Sequence, residues 1–227
     1  KKRKAAIRDS RVNSSQLLSK TLANLDNKPD LFMLASAIGF YGNRGDEELD
    51  ESSSPGKQGY FLTDVCSEWE NSADSAKEAG IRTISLRTGI VISAVGGALG
   101  KMLLPAKMGA GGPIGNGKQW MSWISMDDQI YSMYHLMMSE GTSGEYNLTA
   151  PNPVRQKQFA KTLGKVLRRP AFAPLPGFMM KIMFGEMGVR LTLDSQRVLP
   201  KNLQESGYEF IHNDLQSALR DSLGKWR

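Results

Sequence analysis

Apolar and polar positions along this chain switch between two periods. Over residues 5–25, Ile7, Leu18, Leu22 and Leu25 fall near one face, with Leu17 beside them, which predicts a helix. Asn27-Lys-Pro-Asp30 breaks that pattern. "LFMLAS" (31–36) is a short continuous apolar run, as in a strand buried on both faces. A glycine-rich exit (Gly39, Gly42, Gly45) and an acidic polar loop to Gln58 follow. Phe61, Leu62, Val65, Cys66 and Trp69 then form a helical stripe, with Asp64, Ser67, Glu68 and Asn71 opposite. Gly80 is placed to end this helix.

"IRTISLRTGIVI" (81–92) predicts a second strand. A glycine-rich stretch around a Leu/Met segment follows. A helix is predicted over 127–139, with Met126, Ile130, Met133, Tyr134 and Met137 on one side. "EYNLTA" (145–150) predicts a third strand. Beyond Pro151 the pattern becomes short helices, near 154–168, 176–187 and 213–223, the last with Asn213 and Gln216 spaced as a capping box. Helices alternating with apolar strands predict an α/β fold. Its core is a doubly wound parallel sheet, with a small, mostly helical second part.

Composition narrows the function. The chain has 227 residues and a net charge of +6, from 29 basic and 23 acidic side chains. Beyond Lys1–Lys4 the basic residues are scattered among Gly, Met and Leu, without the aromatic interleaving of a nucleic-acid surface. They suit a surface that attracts phosphorylated small molecules. The single cysteine fits a reducing, cytoplasmic setting. No apolar run reaches the length of a membrane span. Two histidines and one cysteine have no spacing that suits zinc. The sequence carries no signal for an oligomeric state.

The blocks "IRDSRVNSSQLL", "SAIGFYG", "SLRTGIVIS", "GGPIGNGKQWMSWISMDD" and "YNLTAPNPV" resemble the extended short-chain dehydrogenase/reductase superfamily. More narrowly, they resemble its atypical NAD(P)-dependent epimerase-like branch, whose C-terminal module is similar to "SQRVLPKNLQESGYEF". The resemblance implies a Rossmann part over residues 1–97 and 119–148, and a substrate part over 98–118 and 149–227. It implies NADP, or NAD, as cofactor and a small-molecule substrate. The family's opening strand, Gly-rich turn and helix, which cradle the pyrophosphate, have no counterpart in these residues. The expectation is a fold without its front and weak cofactor binding by this chain alone. "GPIGNGKQ" (112–119) resembles a phosphate loop until Gln119, and is expected to be a flap at the substrate cleft.

In extended members, by the same resemblance, a Ser or Thr, a Tyr and a Lys carry the chemistry. Hydride moves only if a proton moves at the adjacent oxygen, and a tuned phenol supplies that proton. Aligned on Tyr41-Gly42 and on Glu70, this chain has Ala37, Leu62 and Cys66 at those positions, none able to serve. Tyr60 is the remaining candidate proton donor. Arg11, in a Ser-Arg pair, is a candidate for a cofactor phosphate or a plain salt bridge. Ser36, at a strand's carboxyl end, and Val91, beside the nicotinamide by family analogy, are the other cofactor candidates. Cys66 is expected to be a small buried hydrophobe, and Asp127 to cap its helix. Two functions stay open: an NADP(H)-binding epimerase-like oxidoreductase without the usual catalytic set, and a non-catalytic dinucleotide-sensing or partner-binding protein.

Overall fold

The computed structural model describes residues 2–171 and 193–225. Three parallel strands make the central sheet: β1 (Leu31–Ala37), β3 (Arg82–Thr88) and β7 (Gly144–Leu148), in the order β1-β3-β7. β1 was legible as a continuous apolar run, as a strand covered on both faces allows, and β3 and β7 lie within the segments expected as the second and third strands. In register, Ser36 lies opposite Arg87, and Arg87 opposite Asn147. Helices α1 (Lys2–Ala23), α2 (Phe61–Asn71) and α3 (Asp74–Glu78) pack together beside β1 and β3.

The expected 81–92 strand is two strands. Gly89 separates β3 from β4 (Ile90–Ile92), which pairs with β6 (Trp123–Ser125). The Gly89 amide bonds Leu148 O, and the next amide bonds Ser122 O, so the chain changes partners at this residue. A Cβ at Gly89 would lie 2.7 Å from Ser122 O and 2.8 Å from Thr149 Cγ2. Only glycine permits that crossing. The expected helix up to Gly80 is likewise two, α2 and α3, separated at Ser72-Ala73. Gly80 (φ 81°) does end the second.

The remaining elements are β2 (Glu48–Leu49), which pairs with β9 (Arg197–Val198), and β5 (Trp120–Met121), antiparallel to β8 (Val154–Arg155). They also include α4 (Gly97–Lys107), α5 (Met126–Met138), α6 (Gln156–Leu167), α7 (Lys201–Glu205) and α8 (Leu215–Ser222). The helix expected over 176–187 lies outside the described residues. One apolar cluster joins Ile92 and Trp123 to Leu99 of α4, Phe159 and Leu163 of α6 and Leu219 of α8. A second joins Ile84, Leu86 and Leu148 of the sheet to Ile124, Leu136 and Leu203.

Two helices turn a different side inward from the one their apolar stripes suggested. On α1, Leu17 and Leu18 are 69% and 53% exposed, whereas Ser15 and Ser19 are buried. Ser15 Oγ accepts from Trp69 Nε1 (3.0 Å) and Ser19 Oγ from the Ala76 amide (2.9 Å). Small side chains with a hydrogen-bonding role allow α1 to lie close against α2 and α3. On α5, Ile130 and Tyr134 face outward, and Asp128, Ser132 and Leu136 are the buried set. The polar side wins because Asp128 organises the neighbouring chain.

That residue also displaces the expected cap. Ser125, not Asp127, caps α5: its Oγ accepts from the Asp128 amide (2.9 Å) and donates to Asp128 Oδ2 (2.6 Å). Near the carboxyl end the cap shifts by one residue, from Asn213 to Asp214, whose carboxylate accepts from the Ser217 amide (3.0 Å).

Candidate functional site

The loop leaving the carboxyl end of β1 is rich in Gly, Asn and Asp, residues that favour turns over ladders. It forms one wall of a cleft of about 820 Å³. Asn43, Gly45 and Asp46 line it from this side, Asn116–Gln119 from another, and Arg155 with Lys157 from a third. Leu193 and Ser195 close the remaining side. Open α/β sheets place ligands at this end of their strands.

Hydrogen bonds fix these walls to one another. Asn43 Oδ1 accepts from the Ser195 amide (3.1 Å), Ser195 Oγ donates to Gly45 O, and the Trp120 amide donates to Ser195 Oγ (3.0 Å). The 112–119 loop lines the cleft and is tied down. Buried Gln156 accepts from the Ile114 amide (2.7 Å), Gln119 Nε2 donates to Ile114 O (3.1 Å), and the Lys157 amide bonds Gly117 O (2.9 Å). Gly117 is obligatory there: its φ is 66°, and a Cβ would lie 2.9 Å from Lys157 Cβ.

Three cations, Lys118, Arg155 and Lys157, face one carboxylate, Asp46, in this cleft. Arg155 spans the wall. Its guanidinium donates to Asp46 Oδ1 (2.6 Å) and to Lys118 O, and stacks 4.1 Å over the Trp120 ring. Arg155 thereby holds the Asp46 carboxyl below the ordinary carboxylate range. The remaining positive charge suits an anionic ligand. These cations were scattered in the sequence, and Arg155-x-Lys157 was their only local hint.

A buried polar row crosses the sheet. Arg87 pairs with Glu70 through two bonds, Nε to Oε1 (2.9 Å) and Nη2 to Oε2 (2.8 Å). Both side chains are under one-tenth exposed. Ser36 Oγ donates to Glu70 Oε1 (2.6 Å), Arg87 Nη1 donates to Tyr41 Oη (3.0 Å), and Tyr41 Oη donates to Asn147 Oδ1 (2.8 Å). The guanidinium also lies 3.7 Å from the Phe40 ring centroid. Burial pushes the Tyr41 phenol up to about 12 against the pull of Arg87. Burial opposes the charge on Arg87, yet its bonds to Glu70 raise its pKa further. The fork geometry and the satisfied lone pairs are what make a buried pair tolerable.

The candidates read from sequence fall in different places. Tyr60 precedes α2, and its hydroxyl donates to Asp194, which sits between the cleft residues Leu193 and Ser195. Ser36 is buried and committed to Glu70. Arg11 lies on α1, with its guanidinium 5.3 Å from the Trp69 ring centroid of α2 and Nη1 donating to Ile7 O. Val91 lies in β4 opposite Ile124 and packs on the sheet cluster. These four do not converge on one point.

Cys66 and Leu62 lie against Gly39. A Cβ there would be 3.5 Å from Cys66 Sγ and 3.4 Å from Leu62 Cβ. Cys66 is buried, and desolvation pushes its thiol up to about 12. At pH 8 such a thiol is ionised in roughly one molecule in ten thousand, and the thiolate is the reactive form. Native protein is therefore expected to resist iodoacetamide at pH 8 and to label fully in urea, read by intact mass. Rapid labelling under native conditions would contradict this packing.

Parallel strands, crossover helices and a cleft at the strands' carboxyl ends define a Rossmann-type nucleotide-binding fold of the extended short-chain dehydrogenase/reductase kind. Residues 175–222 match a family model described as "Domain of unknown function (DUF1731)". The chain is 38% identical over 218 residues to the epimerase family protein YfhF of Bacillus subtilis, covering 96% of this chain and 71% of that one. It is 37% identical over 219 residues to the chloroplastic SDR39U1 homolog of Arabidopsis thaliana, covering 96% of this chain and 62% of that protein. The crystal structure of human epimerase family protein SDR39U1 (isoform 2) with NADPH superposes with a TM-score of 0.90 at 31% identity. That match covers 99% of this chain and 75% of the human one. The chain belongs to the SDR39U1-like epimerase family proteins.

Proposed function

We propose that this chain is an NADP(H)-binding, epimerase-like oxidoreductase that acts on a small anionic molecule. The observation that carries this reading is the fold match, over 99% of the chain, to a human relative solved with NADPH. The cleft supports the substrate half. Lys118, Arg155 and Lys157 outnumber Asp46, so a phosphate or carboxylate on the substrate is drawn in and oriented there.

Chemistry in this reading does not use a Tyr-Lys pair on α2, because Leu62 and Cys66 hold those places. Tyr60 supplies the proton when hydride reaches the substrate carbon, and its hydrogen bond to Asp194 orients the phenol. Arg11 and Val91 remain cofactor-facing candidates; Ser36 acts through Glu70. A chain that binds NADPH and turns over nothing would instead be a dinucleotide sensor. That second reading draws on the inert, buried Cys66.

The test is NADPH fluorescence titration of this chain and of the chain extended with the amino-terminal segment of the Bacillus relative. Strong binding is expected for the extended form and weak binding for this chain, with NADPH preferred over NADH. No binding by either form sinks the proposal. Turnover of phosphorylated carbonyl compounds, lost at least tenfold in Tyr60→Phe with NADPH binding kept, separates enzyme from sensor.

A further inference from the structure

The structure assigns a divalent transition-metal site to Asp127, His212 and Asp221, away from the cleft. One ligand atom from each of these residues lies within 4.8 Å of the others. They come from three separate segments: the first turn of α5, the tail before α8, and α8 itself.

The imidazole carries the argument, because its ring is held in place. Ser217 Oγ lies 3.1 Å from His212 Nδ1 and also within reach of Asp214 O (2.9 Å). That contact engages Nδ1, and Nε2 is the ring nitrogen paired with Asp221. The nearest Asp221 oxygen is 3.9 Å from Nε2, too long for a hydrogen bond. The His212 side chain is nine-tenths buried, and its main-chain amide is pinned by Asp128 Oδ2 (3.1 Å). An imidazole grouped with two carboxylates, its Nε2 3.9 Å from one of them, leaves a gap that a cation can fill. A ring engaged at Nδ1 with Nε2 turned to the ligand is also how metal-binding histidines are oriented.

The spacing and donor types agree. Ligand atoms about 2.0–2.1 Å from a tetrahedral ion lie roughly 3.3 Å apart, so closure needs shifts of about 1 Å or less per side chain. One nitrogen and two carboxylate oxygens suit Zn²⁺ and its neighbours, whereas Mg²⁺ and Ca²⁺ take oxygen sets. Asp221 also borders a hollow of about 200 Å³, lined in part by Ser125 and Met126. The bound ion would staple the tail and α8 onto α5.

Zinc titration of EDTA-dialysed protein against a chromophoric chelator tests this, with Co²⁺ absorption as the reporter of imidazole ligation. One Zn²⁺ per chain is expected, with a rise in melting temperature that Mg²⁺ does not reproduce. Asp221→Asn, a partly exposed position that leaves the fold intact by circular dichroism, should weaken binding at least tenfold. His212→Gln should abolish it, and His135→Gln, at the chain's other histidine, should keep it. No saturable zinc binding at micromolar metal overturns the site. Equal affinity in Asp221→Asn overturns it as well.

Discussion

Arg87→Met is expected to cost about 3–5 kcal/mol of folding stability, the usual range for breaking one half of a buried ion pair. The substitution leaves Glu70 charged, buried and held by Ser36 alone. It also removes the donor to Tyr41 and the guanidinium stacked on Phe40. Domains of this kind are stable by roughly 5–15 kcal/mol in total. The loss should therefore appear as a drop of about 1–3 M in the urea midpoint. The double variant Arg87→Met/Glu70→Leu should recover most of the loss, since two apolar groups of similar volume need no counter-charge. Arg8→Ala, at the exposed pair with Glu68, should leave the midpoint unchanged. If Arg87→Met behaved like Arg8→Ala, the row across the sheet would be carrying no energy.

Asp128→Ala is expected to be of similar size, about 3–5 kcal/mol, for a different reason. Asp128 is fully buried and accepts four bonds beyond its own helix turn or from its cap. The donors are Ser125 Oγ (2.6 Å), Tyr208 Oη (3.0 Å) and the Ile211 (2.7 Å) and His212 (3.1 Å) amides. Alanine strands all four donors, and a buried donor without an acceptor costs about 1–3 kcal/mol before water compensates. Hydrogen exchange separates this from a general loss of stability. Protection at Ile211 and His212 should fall further than protection in β3. Uniform loss across the chain would mean that Asp128 does not specifically hold the tail.

Much of the layer structure was legible along the chain. β1 is an apolar run, as suits a strand covered on both faces, while β3 and β7 mix polar residues such as Ser85, Arg87 and Asn147 with apolar ones. Cys66 was legible as a buried hydrophobe because it recurs at helical spacing with Leu62 and Trp69. The faces of α1 and α5 were not. Periodicity reports where apolar residues sit, but Ser15, Ser19 and Asp128 face inward through hydrogen bonds to distant residues. Glu70 was visible as an alignment anchor, but its burial depends on Arg87, seventeen residues on.

The sequence by itself determined the alternation of strand and helix, the parallel sheet and the family resemblance. These depend on neighbours a few residues apart or on residue identity alone. Only the tertiary structure decided which helix faces are covered, that Ser36, Arg87 and Asn147 line up in one row, and that Lys118, Arg155 and Lys157 share a cleft. It alone brought Asp127, His212 and Asp221 together. Such groupings are set by strand register and by packing between distant segments, and no local pattern along a chain encodes a distance across it.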